Sequence, residues 1–175
     1  MNSDRGVKNI QHIAEPYRSL VSKMLEALLS VFGDRLVSLI VYGSVARGEA
    51  KRSSDLDLLI IVEGLPESRF DRNKIFDTVE DLLIRDLEGF HASGYYVALS
   101  PILKTPEEAR KISSLYLDMV EDAVIVYDRN GFFESVLVRL SNKLKELGAE
   151  RVWVGKKWYW RLRKDLKLGE EIIIE

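Results

Sequence analysis

Residues 43–57 read Gly-Ser-Val-Ala-Arg-Gly-Glu-Ala-Lys-Arg-Ser-Ser-Asp-Leu-Asp, and two apolar runs bracket them. Leu36-Val37-Ser38-Leu39-Ile40-Val41-Tyr42 leads in, and Leu58-Leu59-Ile60-Ile61-Val62 leads out. Both runs are short, rich in β-branched residues and bounded by turn residues, which is the pattern of buried strands. The turn between them opens with Gly43-Ser44 and closes with Asp55 and Asp57. Side chains two apart on a strand share a face, so these carboxylates converge. Two adjacent hard oxygen ligands suit Mg²⁺. A Gly-Ser turn that follows a strand and opens into a short helix presents backbone N–H groups, which suit a phosphate. A metal site and a phosphate cradle this close imply a nucleoside triphosphate held as its Mg²⁺ complex.

Working outward, Pro16 precedes a helical pattern in which Leu20, Val21, Met24, Leu25, Leu28, Leu29 and Phe32 recur at three-to-four spacing, with Gly33 placed to end it. A second helix is expected over about 69–87, then a loop at His91-Ala92-Ser93-Gly94 and a strand over 95–103. Thr105-Pro106-Glu107-Glu108 has the signature of a helix start, and that helix is expected to run to about Met119. A short strand over 123–127, a helix over about 132–147 and a hairpin turning at Gly155-Lys156 follow, with a further strand over 171–174. The expectation is an α/β (α+β-like) fold: a small mixed β-sheet, helices mainly on one face, and a C-terminal helix and β-hairpin. One domain over 1–175 is expected, with a core over 15–127 and an extension over 128–175.

Composition narrows the function. The chain has 175 residues, 46% hydrophobic and 31% charged, which describes a globular protein with room for a core. The absence of cysteine excludes disulfides, thiolate metal sites and a cysteine nucleophile. The formal net charge of −2 argues against a bulk-basic nucleic-acid binder. The N-terminus lacks the apolar stretch of a signal peptide and no run approaches a membrane span, so a cytoplasmic location is expected. One segment departs from the average: Trp153, Trp158, Tyr159 and Trp160 are interleaved with Lys156, Lys157, Arg161, Arg163 and Lys164. Aromatics among cations suit single-stranded RNA or a base. Equally, they suit a hairpin that covers the core and turns its charges to water.

At Gly43-Ser44, the ten residues Val45 to Ser54, and Asp55-Leu56-Asp57, the chain resembles the DNA polymerase β-like nucleotidyltransferase superfamily. Within it, the chain looks most like the small stand-alone minimal nucleotidyltransferases of archaea and bacteria. The resemblance implies that Asp55 and Asp57 hold Mg²⁺ and serve catalysis, and that Gly43, Ser44, Arg47 and Ser54 bind the nucleotide phosphates. It implies transfer of a nucleoside monophosphate, AMP from ATP, to an acceptor hydroxyl with release of pyrophosphate. It also implies a third carboxylate on the next strand, facing the pair. Residues 95–101 contain no acid, and Ala98 or Ser100 would stand there. Asp118, Glu121, Asp122 and Asp128 are the acids around the strand after it. A second reading therefore accompanies the first: a nucleotide- or partner-binding protein, such as the antitoxin of a HEPN-type toxin pair.

Overall fold

The computed structural model describes residues 8–155 and 157–163. The strand expected at 171–174, and Lys156 and Lys164, lie outside them. Helix α1 spans Tyr17–Phe32, and buries Leu20, Val21, Met24, Ala27, Leu28 and Phe32. Gly33 ends it at φ +53, with its N–H donating to the Leu29 carbonyl. Strand β1 is Leu36–Tyr42, helix α2 is Gly43–Ala46 and strand β2 is Leu56–Val62. Helix α3 (Arg69–Ala92), strand β3 (Leu99–Lys104), helices α4 (Pro106–Arg110) and α5 (Leu115–Asp122), strand β4 (Val124–Asp128) and helix α6 (Phe132–Leu147) follow. Strands β5 (Glu150–Val154) and β6 (Lys157–Arg161) form the hairpin.

The four-stranded sheet has the order β3-β2-β1-β4. β1 runs antiparallel to β2 and β4, and β2 runs parallel to β3, so the sheet is mixed. Alternation along the strands sorts the core into two clusters. Leu39, Val41, Leu58, Ile60 and Val62 pack with α1 and α3. Val37, Ile40, Leu59 and Ile61 pack with residues of α4, α5 and α6. Burial on both sides is why these strands read as unbroken apolar runs. The mixed sheet and hairpin match the expectation, but helices cover both faces rather than mainly one.

Three boundaries differ from expectation, each for a non-local reason. α3 continues through His91 to Ala92, because Phe90 is drawn into edge-to-face contacts with Tyr17 and Tyr95, at centroid distances of 6.2 and 5.9 Å. β3 starts at Leu99 rather than Tyr95. Tyr95 is held in that aromatic group, and the Tyr96 N–H donates to the Arg52 carbonyl at 2.7 Å, which ties this segment to the 43–57 turn. The helix expected over 105–119 is two helices. Thr105 and Glu108 cap α4 reciprocally, but Lys111 is extended and α5 begins afresh at Leu115.

Arg72, 7% exposed, staples the α1/α3 side to α4. It donates to Glu108 at 2.7 and 2.9 Å and to the carbonyls of Pro66 (2.6 Å) and Leu103 (3.1 Å). Glu108→Ala leaves that guanidinium short of its counter-charge and uncaps α4. The expected loss is about 2 kcal/mol in urea unfolding, since breaking such a pair strands a buried charge. Loss below about 0.5 kcal/mol would show that the backbone carbonyls alone satisfy Arg72.

Candidate active site

The turn between β1 and β2 is fixed from both ends. Tyr42 pairs with Asp57 in the β1–β2 register. Gly43 then turns the chain at φ +71 into α2. The Arg47 N–H returns to the Gly43 carbonyl, and the Glu49 N–H to the Ser44 carbonyl at 2.9 Å. Downstream, the Ser54 hydroxyl accepts from the Lys51 N–H at 2.9 Å while the Ser54 N–H donates to the Lys51 carbonyl. Tyr17 on α1 reaches across and donates its hydroxyl to that same carbonyl at 2.6 Å. The turn is thus held by α1 beneath it and by the 95–98 segment beside it.

Gly43 and Asp57 touch. A Cβ built on Gly43 would lie 3.0 Å from the Asp57 Cγ and closer still to Oδ2. The carboxylate therefore occupies the space a side chain at 43 would take, and the positive φ disfavours a side chain independently. Ser44 is the second residue of α2, in the first turn, where a helix has no internal acceptor for its N–H. The first turn of α2 and the Asp57 carboxylate thus lie side by side.

Asp55 stands exposed just before β2, and Asp57 is half-buried within it. Burial, and then the negative charge of Asp55, hold the Asp57 carboxyl above its ordinary value, opposed by a hydrogen bond from Ser100 and the charge of Arg47. Burial and the Asp57 charge likewise push the Tyr42 phenol up to about 12. Ser100, not Ala98, stands across from Asp57 in the parallel β2–β3 register. Ala98 instead accepts the Leu56 N–H through its carbonyl, at 2.9 Å. Among the described residues, no group of three or more His, Cys, Asp or Glu side chains gathers to hold a metal.

Three of the four acids around β4 are committed to packing. Asp128 accepts from Ser38 at 2.6 Å and from the N–H groups of Phe133 and Glu134, opening α6. Asp122 pairs with Arg151 at 2.8 Å. Asp118 accepts from the indoles of both Trp158 and Trp160, each at 2.9 Å. Of the basic residues in the turn, Arg52 lies over the Tyr95 ring at 5.6 Å, and Arg47 pairs with Glu49 at 2.8 Å. Arg47 also rests against Trp158, with its guanidinium carbon 4.9 Å from the ring centroid. The aromatic-basic segment was visible in the sequence, but not its approach to Arg47. A cleft of about 350 Å³ between α1 and α3, lined partly by Leu20, Lys23, Phe90 and Tyr95, contains neither Asp55 nor Asp57. The carboxylate pair lies on an open turn.

A nucleotidyltransferase domain model matches residues 21–127. A Methanocaldococcus jannaschii relative, named as a putative protein adenylyltransferase, is 31% identical over 147 residues, which is 82% of this chain and 92% of the relative. Among solved structures, a toxin–antitoxin complex with AMP-PNP is similar at 17% identity and a TM-score of 0.45, covering 72% of this chain and 87% of that one. A complex of a tri-AMPylated Shewanella oneidensis HEPN toxin with its MNT antitoxin gives 14% identity and a TM-score of 0.39, covering 73% of this chain and 88% of that one. These last two likenesses are too distant to carry a ligand or partner across. The chain belongs to the nucleotidyltransferase domain family and is a nucleotidyltransferase. No helix among the described residues is long and apolar enough to cross a membrane.

The raised Asp57 pKa fixes a sign. The folded chain holds that proton more readily than the unfolded chain, so stability falls as pH rises through the raised value. Asp57→Asn is therefore expected to raise the melting temperature of the metal-free protein at pH 7 by about 1–4 °C, and by less at pH 4. An equal gain at both pH values would show that charge is not the cause. Gly43→Ala pushes the carboxylate aside, so this variant is expected to show a smaller Mg²⁺-induced rise in melting temperature than the parent. A Mg²⁺ response equal to the parent's would mean that the close contact is not needed.

Proposed function

We propose that the chain transfers AMP from ATP to a hydroxyl of a protein acceptor and releases pyrophosphate. The observation that carries this reading is the contact of Gly43 with Asp57, which sets the Gly-Ser turn directly against a carboxylate whose neighbour Asp55 lies two residues away. The preference for adenylyl transfer and for a protein acceptor rests on the name of the Methanocaldococcus jannaschii relative. Asp55 and Asp57 suit Mg²⁺: they are hard oxygen donors, and burial together with the Asp55 charge, which raise the Asp57 pKa, disfavour a charge that a divalent cation would stabilise. Mg²⁺ bound there would offset charge on the triphosphate and help align the α-phosphorus. We place this reaction in the cytoplasm, where MgATP is available.

The chain's own groups then have distinct parts. The N–H and hydroxyl of Ser44 hold phosphate oxygens, and Arg47 adds positive charge beside them. Ser54 acts indirectly, since its hydroxyl is used to close the turn that presents Asp55. The acceptor oxygen forms a bond to the α-phosphorus while the bond from that phosphorus to the bridging oxygen breaks, and pyrophosphate carries the electron pair away. The acceptor's proton leaves to solvent, because Ser100 offers no basic atom where a third acid is expected. Lack of a positioned base costs about 10²–10⁴-fold in rate, so turnover is expected to be slow.

Ser100 opposite Asp57 also favours a second reading: a protein that binds MgATP, or a HEPN-type partner, with little turnover. An RNA acceptor has less support, because Trp158 and Trp160 already donate their indole N–H groups to Asp118.

The deciding experiment incubates the chain with ATP labelled at the α-phosphate, Mg²⁺ and candidate acceptor proteins, and follows both label transfer and pyrophosphate. Asp55→Asn and Asp57→Asn are each expected to lower transfer by at least about 100-fold. A double variant as active as the parent sinks the transferase site assigned here. MgATP binding with no pyrophosphate released to any acceptor would favour the second reading.

A further inference from the structure

The hairpin β5–β6 lies outside the family-matched residues 21–127, yet it reaches the candidate site. Asp57 shares its strand-face parity with Leu59 and Ile61, which belong to the cluster packed by α5 and α6, and Trp160 packs against that cluster. The site therefore opens on the side of the sheet where the hairpin sits. Two indole bonds to Asp118 and the Arg151 pair with Asp122 fasten the hairpin to α5. Along β6, Lys157, Tyr159 and Arg161 are exposed, while Trp158 and Trp160 are turned inward. Trp158 meets the guanidinium groups of both Arg47 and Arg151 at 4.9 Å.

Arg47 is the residue at this junction. It caps the C-terminal end of α2, the helix that starts at Gly43-Ser44, and its charge bears on Asp57. Among the described residues its hydrogen bond, to Glu49, uses Nε, which leaves its terminal amino groups for phosphate oxygens. A flexible arginine must be ordered before it can help bind phosphate, and that ordering costs side-chain entropy. A ring face against the guanidinium orders it in advance while leaving its edge donors free.

We propose that Trp158 is a positioning residue of the nucleotide site: its ring holds the Arg47 guanidinium ready for the triphosphate, so the C-terminal hairpin completes a site that the family-matched segment only begins. The proposal rests on the reading of Arg47 as a phosphate ligand given above. It separates two roles within the aromatic hairpin. Trp158 serves the nucleotide, whereas Tyr159, 52% exposed on the outer face of β6, does not.

The test is a double-mutant cycle of Arg47→Ala and Trp158→Ala, read as the Kd of MgATP by calorimetry and as KM and kcat for label transfer. Trp158→Ala is expected to raise Kd and KM by about 5- to 20-fold, with kcat changed less than about twofold. Trp158→Phe, which keeps a ring face, should stay within about threefold of the parent, and Tyr159→Ala should match it. The double variant should bind no more weakly than Arg47→Ala alone. Additive losses, or a Phe variant as impaired as the Ala variant, overturn the proposal. If Trp158→Ala does not fold, the Trp153→Phe/Trp160→Phe variant leaves Trp158 as the sole indole. Its emission should then change as MgATP saturates the site and engages Arg47, and constant emission at saturation overturns the proposal. A parent that binds no MgATP removes the phosphate-site reading itself, whereas a parent that binds MgATP with an additive cycle removes only the role of Trp158.

Discussion

The site depends on a close approach: a strand-to-helix turn lies against a carboxylate of the neighbouring strand with no side chain between them. The β1–β2 register sets it by pairing Tyr42 with Asp57, so the residue after Tyr42 must pass over the Asp57 side chain. Only a glycine can make that passage at φ +71 with Oδ2 so near. One contact thus couples the two halves of the site. The N–H groups at the start of α2 and the Asp57 carboxylate at the start of β2 cannot move independently. The rest of the fold serves this register. Apolar residues on both faces of β1 and β2 are buried, and a slip of one residue would exchange the two faces and move Asp57 into the α1/α3 core.

Electrostatics and geometry pull against each other at Asp57. Burial and Asp55 both disfavour its charge, while Ser100 and Arg47 favour it. A fold optimised for its own stability would not put two acids here with Arg47 alone to offset them. On the proposed reading the cost is one that a bound cation would relieve, and the metal-free protein carries it.

What could be read from the sequence was what is local. The runs 36–42 and 58–62, the Gly-Ser turn, the Asp-x-Asp pair, the Gly33 and Gly148 helix ends and the Thr105 cap depend on neighbours within a few residues. β1 and α6 fall where periodicity and punctuation put them. What escaped depends on partners far along the chain. Whether Ala98 or Ser100 faces Asp57 is decided by a parallel register across an intervening helix, and no local pattern sets it. The start of β3 was misplaced because Tyr95 joins Tyr17 and Phe90 rather than the sheet. Alternation in Trp158-Tyr159-Trp160 gave the hairpin two faces but could not name Asp118 and Arg47 as their neighbours.

Those neighbours bear on the missing acid. A replacement carboxylate would have to come from an element lying on the Asp57 side of the sheet, and α5 supplies the nearest acidic segment in that cluster. Yet Asp118 gives Oδ1 to two indole N–H groups, and Asp122 gives Oδ2 to Arg151. Asp128 spends both oxygens on the start of α6. Releasing any of them would undo the hairpin or a helix terminus. Asp118, Asp122 and Asp128 are thus held by the architecture that brings Trp158 to Arg47. On the proposed reading, the hairpin would strengthen the grip on the nucleotide at one side while the acceptor's activation is left unprovided on the other, where Ser100 faces Asp57.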